Sequence, residues 1–177
     1  MAVLVEGISV IVKRDAIVAV YPGGWDAFVR GAPNRTLCAD TELARVGFMT
    51  PQDVETFVKH LEQVGLRFLA DGKSVDIVIV DQNEGPTTPC DWLQFGRVGL
   101  ADCGGEVAAC RTPGSKDPQI AVPDGWVFGE SLTRQSSFVP TDGLPARMRF
   151  IRREGNLDVF LDLVTGKEVF VGRTTNP

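Results

Sequence analysis

The sequence predicts an α+β protein: mostly antiparallel β-sheet, one prominent amphipathic helix over residues 51–64 packed on it, and a C-terminal three-stranded meander. Three observations carry this reading. The stretch TPQDVETFVKHLEQVG repeats apolar residues at three- and four-residue spacing, the period of a helix with one buried face. Elsewhere, short runs rich in Val and Ile alternate with clusters of Gly, Pro, Asn and Asp, as strands joined by tight connections do. In RMRFIRREGNLDVFLDL a Gly-Asn pair sits between two alternating runs, the pattern of a β-hairpin.

The helix is specified at both ends. Thr50 is a good N-cap, Pro51 suits a first helical position whose N–H would be unbonded anyway, and Asp53 puts negative charge in the first turn. Gly65 stops it. Val54, Phe57, Val58, Leu61 and Val64 form one apolar stripe, while Glu55 and Lys59 stand four residues apart on the other side.

The remaining elements are shorter. GISVIV (residues 7–12) and AIVAV (residues 16–20) read as two strands, with Lys13, Arg14 and Asp15 as a turn or exposed edge. WDAFVR (25–30) and RTLC (35–38) read as weaker strands around the turn-forming Gly31-Ala32-Pro33-Asn34. DTELAR (40–45) reads as a short helical turn, capped by Asp40 or Thr41 and ended at Gly47. SVDIVIV (74–80) is the strongest central strand, since five of its seven residues are β-branched aliphatics. Residues 92–98, 106–111 and 119–122 suggest further strands between loops rich in Gly and Pro.

In the C-terminal hairpin a two-residue Gly155-Asn156 turn pairs Glu154 with Leu157. That register sets Arg153 opposite Asp158 and Arg149 opposite Asp162, with Phe150 meeting Leu161 and Met148 meeting Leu163 on the other face. Ile151 and Phe160 then fall on the charged face, a flaw in an otherwise consistent pattern. A turn at Thr165-Gly166-Lys167 returns the chain as a third strand.

Composition narrows function by exclusion. A chain of 177 residues suits one domain, 1–177. No apolar run approaches the roughly 18 residues of a membrane span. The N-terminus alternates like a strand, carries Glu6 and has no positive n-region, so no secretory signal is expected. The net charge is −5, and 13 of the 18 basic residues are scattered arginines, so nucleic acid is not an expected partner. Cys38, Cys90, Cys103 and Cys110 are expected as reduced thiols in a cytosol, and their spacing has no C-x₂₋₄-C hook for zinc.

The densest reactive chemistry lies in VDQNEGPTTPCDWLQFG, residues 80–96. Read as an enzyme, this loop offers Asp81, Glu84, Cys90 and Asp91 as acid, base or nucleophile; read as a cation site, it offers oxygens of Asp81, Asn83 and Glu84. Asp76 precedes them on the strand. A Cys90 nucleophile needs a base, yet the chain has a single histidine, His60, on the flank of the amphipathic helix. The loop lacks the count and glycine position of an EF-hand, and ADCGGEVAAC lacks either phosphate-loop spacing. There is no G-x-S-x-G elbow.

The leading expectation is therefore a non-enzymatic interaction module without a cofactor. It would be an inhibitor- or immunity-type protein-binding domain, or a chain that self-associates through sheet edges. Trp92, Trp126 and Arg152 are its candidate binding residues, because Trp and Arg dominate binding hot spots. Trp25 and Trp126 both follow Pro-x-Gly turns, where tryptophans also serve as core plugs with the indole N–H on a loop carbonyl. Arg147, Arg149, Arg152 and Arg153 could form an anion-binding patch, although the hairpin register assigns two of them to aspartates. The alternative is an enzyme or small-ligand binder built on the loop from Asp81 to Asp91.

Overall fold

The computed structural model describes residues 1–100, 105–135, 148–154, 157–162 and 168–172. Two compact units divide the chain, Met1–Phe128 and Gly129–Pro177. The first contains β1 (Ala2–Val5), β2 (Ile8–Lys13), α1 (Arg14–Val20), α2 (Gly24–Arg30), β3 (Cys38–Ala39), β4 (Leu43–Phe48), α3 (Pro51–Gln63), β5 (Leu69–Ala70) and β6 (Lys73–Ser74). It continues with β7 (Ile77–Asp81), β8 (Gly85–Pro86), β9 (Gln94–Leu100), β10 (Gly105–Arg111) and β11 (Ile120–Ala121). The architecture is α+β with mostly antiparallel sheets; the β1–β11 pair is parallel. No helix among the described residues is long and apolar enough to cross a membrane.

Strand alternation creates two cores. In the five-stranded sheet, ordered β3-β4-β2-β7-β8, Val10, Val12, Ala44, Val46 and Ile77 face a core shared with α1, α2 and α3. Their neighbours Ile11, Leu43, Val78 and Val80 face the second core, shared with Val3, Val5, Ala108 and Cys110 of the four-stranded sheet β11-β1-β10-β9. The first unit is thus three layers deep, helices on a sheet on a sheet. SVDIVIV forms an interior strand as expected, but β7 covers only its second half, and β2 is the middle strand.

The amphipathic helix follows its sequence closely. The Thr50 side chain accepts the Asp53 N–H, Pro51 opens α3, and Val54, Phe57, Val58 and Leu61 are buried. Gly65 ends it at φ +106°, a conformation that glycine alone adopts readily. The Lys59 ammonium donates to Glu55 at 2.6 Å across one turn.

Four short elements differ from expectation. RTLC is not a strand: Arg35 and Thr36 lie in a turn, and only Cys38 enters β3. AIVAV and WDAFVR are not strands but the helices α1 and α2. An apolar run this short has no period that separates helix from strand, and packing decides it. Ile17 and Phe28 are buried anchors, Tyr21 meets Phe28 edge-on at 5.5 Å, Trp25 stacks on Phe28 at 5.8 Å, and the Arg14 guanidinium lies 4.1 Å over Trp25. DTELAR is not a helical turn either. Asp40 Oδ1 accepts the N–H groups of Glu42 and Leu43, both at 2.7 Å, closing an Asx turn that launches β4.

In the second unit, α4 (Leu132–Gln135) precedes β12 (Met148–Glu154), β13 (Leu157–Asp162) and β14 (Glu168–Gly172), with β12 and β14 both antiparallel to β13. Glu154 faces Leu157 and Arg153 faces Asp158, but the register then shifts around Ile151. Arg149 lies opposite Leu161, Phe150 opposite Phe160 and Met148 opposite Asp162, correcting the expected Arg149–Asp162 pairing. One extra residue on β12 lets Phe150 meet Phe160 edge-on at 5.7 Å, resolving the flaw that an unbroken register carries. The expected turns at Gly155-Asn156 and Thr165-Gly166-Lys167, and Arg147 and Cys103, lie outside the described residues.

Candidate interaction site

The loop after β7 carries the chain from one sheet of the first unit to the other, and its polar residues are largely employed in that crossing. Asp81 Oδ1 accepts the N–H groups of Asn83 at 2.7 Å and Glu84 at 3.1 Å, an Asx turn at the strand end. Asn83 and Glu84 themselves are exposed. Asp91 is exposed and pairs with Lys73 at 3.1 Å. Asp76 accepts the Arg67 N–H at 2.9 Å. Among the described residues, no three His, Cys, Asp or Glu side chains stand close enough together to hold a metal ion.

Gln82 is the residue of this loop that sequence reading passed over. Buried at 5% exposure, it accepts the Gly7 N–H at 2.7 Å through Oε1 and donates its own N–H to the Gly7 carbonyl at 3.0 Å. This two-way bond ties the loop to the β1–β2 connection. No local pattern announces it, because its partner lies 75 residues away.

Cys90 is half-buried against the inter-sheet core, and burial raises its thiol above the usual range despite the Trp92 and Leu93 amides nearby. That direction reduces thiolate and weakens a nucleophile. His60 is exposed on α3, where it meets the Tyr21 hydroxyl at 3.4 Å. Since α3 packs on one face of the five-stranded sheet and Cys90 on the core at its other face, the structure does not bring the two together. Cys38, Cys90 and Cys110 are free thiols. Burial raises Cys38 and Cys110 as well.

The tryptophans act inward. Trp92 donates its indole N–H to the Ser74 carbonyl at 3.1 Å, and Lys13 stands 4.9 Å over its ring. Trp126 donates to the buried Glu6 carboxylate at 3.1 Å and packs on Phe128. Both are half-buried against the inter-sheet core, with their polar handles engaged. Arg152 lies on β12 in the second unit, half-buried, between Ile151 and Arg153 in sequence.

Between the two sheets sits Arg45, 2% exposed and the largest fully buried side chain among the described residues. Its guanidinium donates to Ser9 Oγ at 2.8 Å, the Glu6 carbonyl at 2.7 Å and the Thr36 carbonyl at 3.2 Å. Burial pulls it below the usual guanidinium range, opposed by neighbouring Cys38 and Glu6. Gly47 makes room for it: a Cβ there would run into the guanidinium. This glycine has an internal reason.

Gly96 and Gly99 on β9 do not. Neither has positive φ, the β9–β10 register runs unbroken from Gln94 to Leu100, and a Cβ at either would meet nothing within 4 Å. Glycine weakens a strand unless a bulge, a bend or the close approach of another group calls for it. β9 is the edge of its sheet, with Gln94, Gly96, Arg97 and Gly99 exposed and Phe95, Val98 and Leu100 half-buried, and among the described residues its outer side has no backbone partner. Beside it, over Gly96 and its cross-strand neighbour Ala109, lies a cleft of about 340 Å³. Arg111, held by Gln94 at 3.0 Å, and Asp117 stand in its wall.

Comparison with protein-family models, with curated proteins and with solved structures found no match, so the reading of this edge and cleft rests on their own geometry.

Proposed function

We propose that this chain is a non-enzymatic interaction module in which the β9 edge receives an extended strand, from a partner protein or from a second copy. The observation that carries the reading is β9 itself, a regular seven-residue edge strand with four exposed residues and without an outer backbone partner among the described residues. Edge strands are templates for strand addition, in which main-chain hydrogen bonds supply affinity and alternate side chains supply specificity. The reading includes a cytosolic setting with reduced thiols and a C-terminal meander of β12, β13 and β14. An inhibitor- or immunity-type role is one form of it.

Hydrogen exchange on the full chain tests the edge directly. Where the protein self-associates, or is bound to a partner captured from its source cells, alternate amides of β9 gain protection relative to the free monomer. A lysine at Val98 on this edge, V98K, removes both association and protection, because a charge on an edge opposes strand addition. An associated state that leaves β9 exchange unchanged defeats the proposal.

A further inference from the structure

The β9 edge carries a pattern as well as an opening. Along Gln94–Leu100, strand alternation puts Gly96, Val98 and Leu100 on one face and Arg97 and Gly99 on the other. Each face thus bears one glycine and one long side chain, set symmetrically about Val98: Gly96 and Leu100 lie equally far to either side of it, as do Arg97 and Gly99. Nothing described stands within 4 Å of a Cβ built at either glycine. An antiparallel strand related by a two-fold axis through Val98 therefore sets Leu100 of one copy opposite Gly96 of the other, and Arg97 opposite Gly99.

What lies behind each glycine suits the side chain that would face it. Behind Gly96 is Ala109 on β10, the bare floor of the cleft beside Val98. The polar groups of the cleft wall are engaged within the chain, Arg111 with Gln94 at 3.0 Å and Asp117 with the Met1 ammonium at 3.6 Å, so the floor is left for an apolar side chain. Behind Gly99 is Glu106, which is exposed and forms no ion pair with any described residue, its diagonal neighbour Arg97 included. The described hydrogen bond of Arg97 is a long one, 3.5 Å to the Gln82 carbonyl. With no side chain at Gly99 in between, an arginine on the added strand reaches Glu106 across a Cα separation of about 10 Å, two strand spacings. Other two-fold registers fit worse. An axis through Arg97 sets two arginines face to face, and an axis through either glycine sets glycine on glycine.

We infer that the strand added to β9 is β9 of a second copy, paired antiparallel about Val98, so that the two four-stranded sheets join into one. The inference rests on strand addition at this edge and names its occupant. Val98 meets Val98 at the axis, Leu100 covers Gly96, and Arg97 crosses Gly99 to Glu106, the last two contacts each occurring twice. The two-fold closes the assembly as a dimer and leaves neither β9 edge open.

The test is sedimentation equilibrium of the full chain up to about 1 mM, which populates even a dimer of millimolar Kd, with β9 amide exchange read in parallel. A monomer–dimer equilibrium is expected, with β9 protected in the dimer. R97E and E106R should each weaken the dimer at least about tenfold, because two symmetric pairs turn from attraction to repulsion. The double variant R97E/E106R should return to within about threefold of the starting affinity, since the pairs are restored with their signs exchanged. Should a variant fail to fold, isotope-filtered NOEs in a mixed-label dimer of the unaltered chain decide: the Leu100 methyls of one copy should reach the Gly96 Hα of the other. A chain that stays monomeric, folded variants without rescue, or a dimer lacking that NOE each overturns the inference. In the first case a different partner that protects β9 leaves strand addition standing and removes only the second copy as its occupant. A dimer with unchanged β9 exchange defeats both.

Discussion

The two sheets of the first unit use the same residue types in opposite ways. In the five-stranded sheet an arginine and a glycine are locked together: Arg45 is buried between the layers, and Gly47 exists in the space its guanidinium needs. In the four-stranded sheet Arg97 and Arg111 lie towards the edge, and Gly96 and Gly99 face empty space. The first pairing is explained inside the chain. The second is not, and a strand that accepts the cost of two glycines without internal return points outward.

The sharpest way to break this contrast is to truncate Arg45. Arg45→Ala removes the guanidinium donors to the Thr36 carbonyl and Ser9 Oγ, leaves the Glu6 carbonyl only its bond from the Ser9 hydroxyl, and opens a void, so a loss of about 3–5 kcal/mol is expected in urea unfolding. Arg45→Met, which keeps much of the volume and removes the charge, should lose less. A loss below about 1 kcal/mol for the alanine variant would show that the guanidinium network contributes little.

Gly47→Ala comes next. Its Cβ must displace the guanidinium, and overpacking of this kind costs about 1–3 kcal/mol. The cost should nearly vanish when the same glycine is changed in the Arg45→Met background, which a double-mutant cycle measures. Additive losses would mean that Gly47 is constrained by something other than Arg45.

Thr50→Ala should cost about 1 kcal/mol, the usual value of an N-cap whose hydroxyl accepts a first-turn amide. Its effect belongs to α3 and should add to that of Arg45→Ala. The smallest effect is expected at β9: Gly96→Val should change stability by no more than about 0.5–1 kcal/mol, in the stabilising direction, because a β-branched residue replaces glycine in open space. A large loss there would reveal an internal role for Gly96 and remove the contrast between the sheets.

How legible each part was follows from the range of its determinants. Thr50, Pro51, Asp53 and Gly65 announce the helix because capping acts over three or four residues. AIVAV and WDAFVR misled because a five- or six-residue apolar run looks alike in either conformation; Tyr21, Trp25 and Phe28 make them helical by stacking on one another. The hairpin register was readable between Arg153 and Asp158, which face each other, and was lost beyond Ile151, where an inserted residue is invisible to alternation.

The candidate site shows the same limit. Asp81 and Asp91 drew attention as carboxylates, yet which of their neighbours they serve, a turn amide or Lys73, is set by the folded loop. Gly96 and Gly99 stood in plain view in QFGRVGL, but their meaning required knowing that β9 is an edge and that nothing fills their space.

By itself, then, the sequence determined the α+β class, the amphipathic helix with its ends, and the strand-rich remainder, since these depend on period, capping and turn chemistry within a few residues. Tertiary structure alone decided that Arg45 is buried, that Cys90 and His60 lie on opposite sides of a sheet, and that β9 is an open edge. Each of those is a relation between segments tens of residues apart, and chain-distant packing leaves no local mark for a period or a motif to detect.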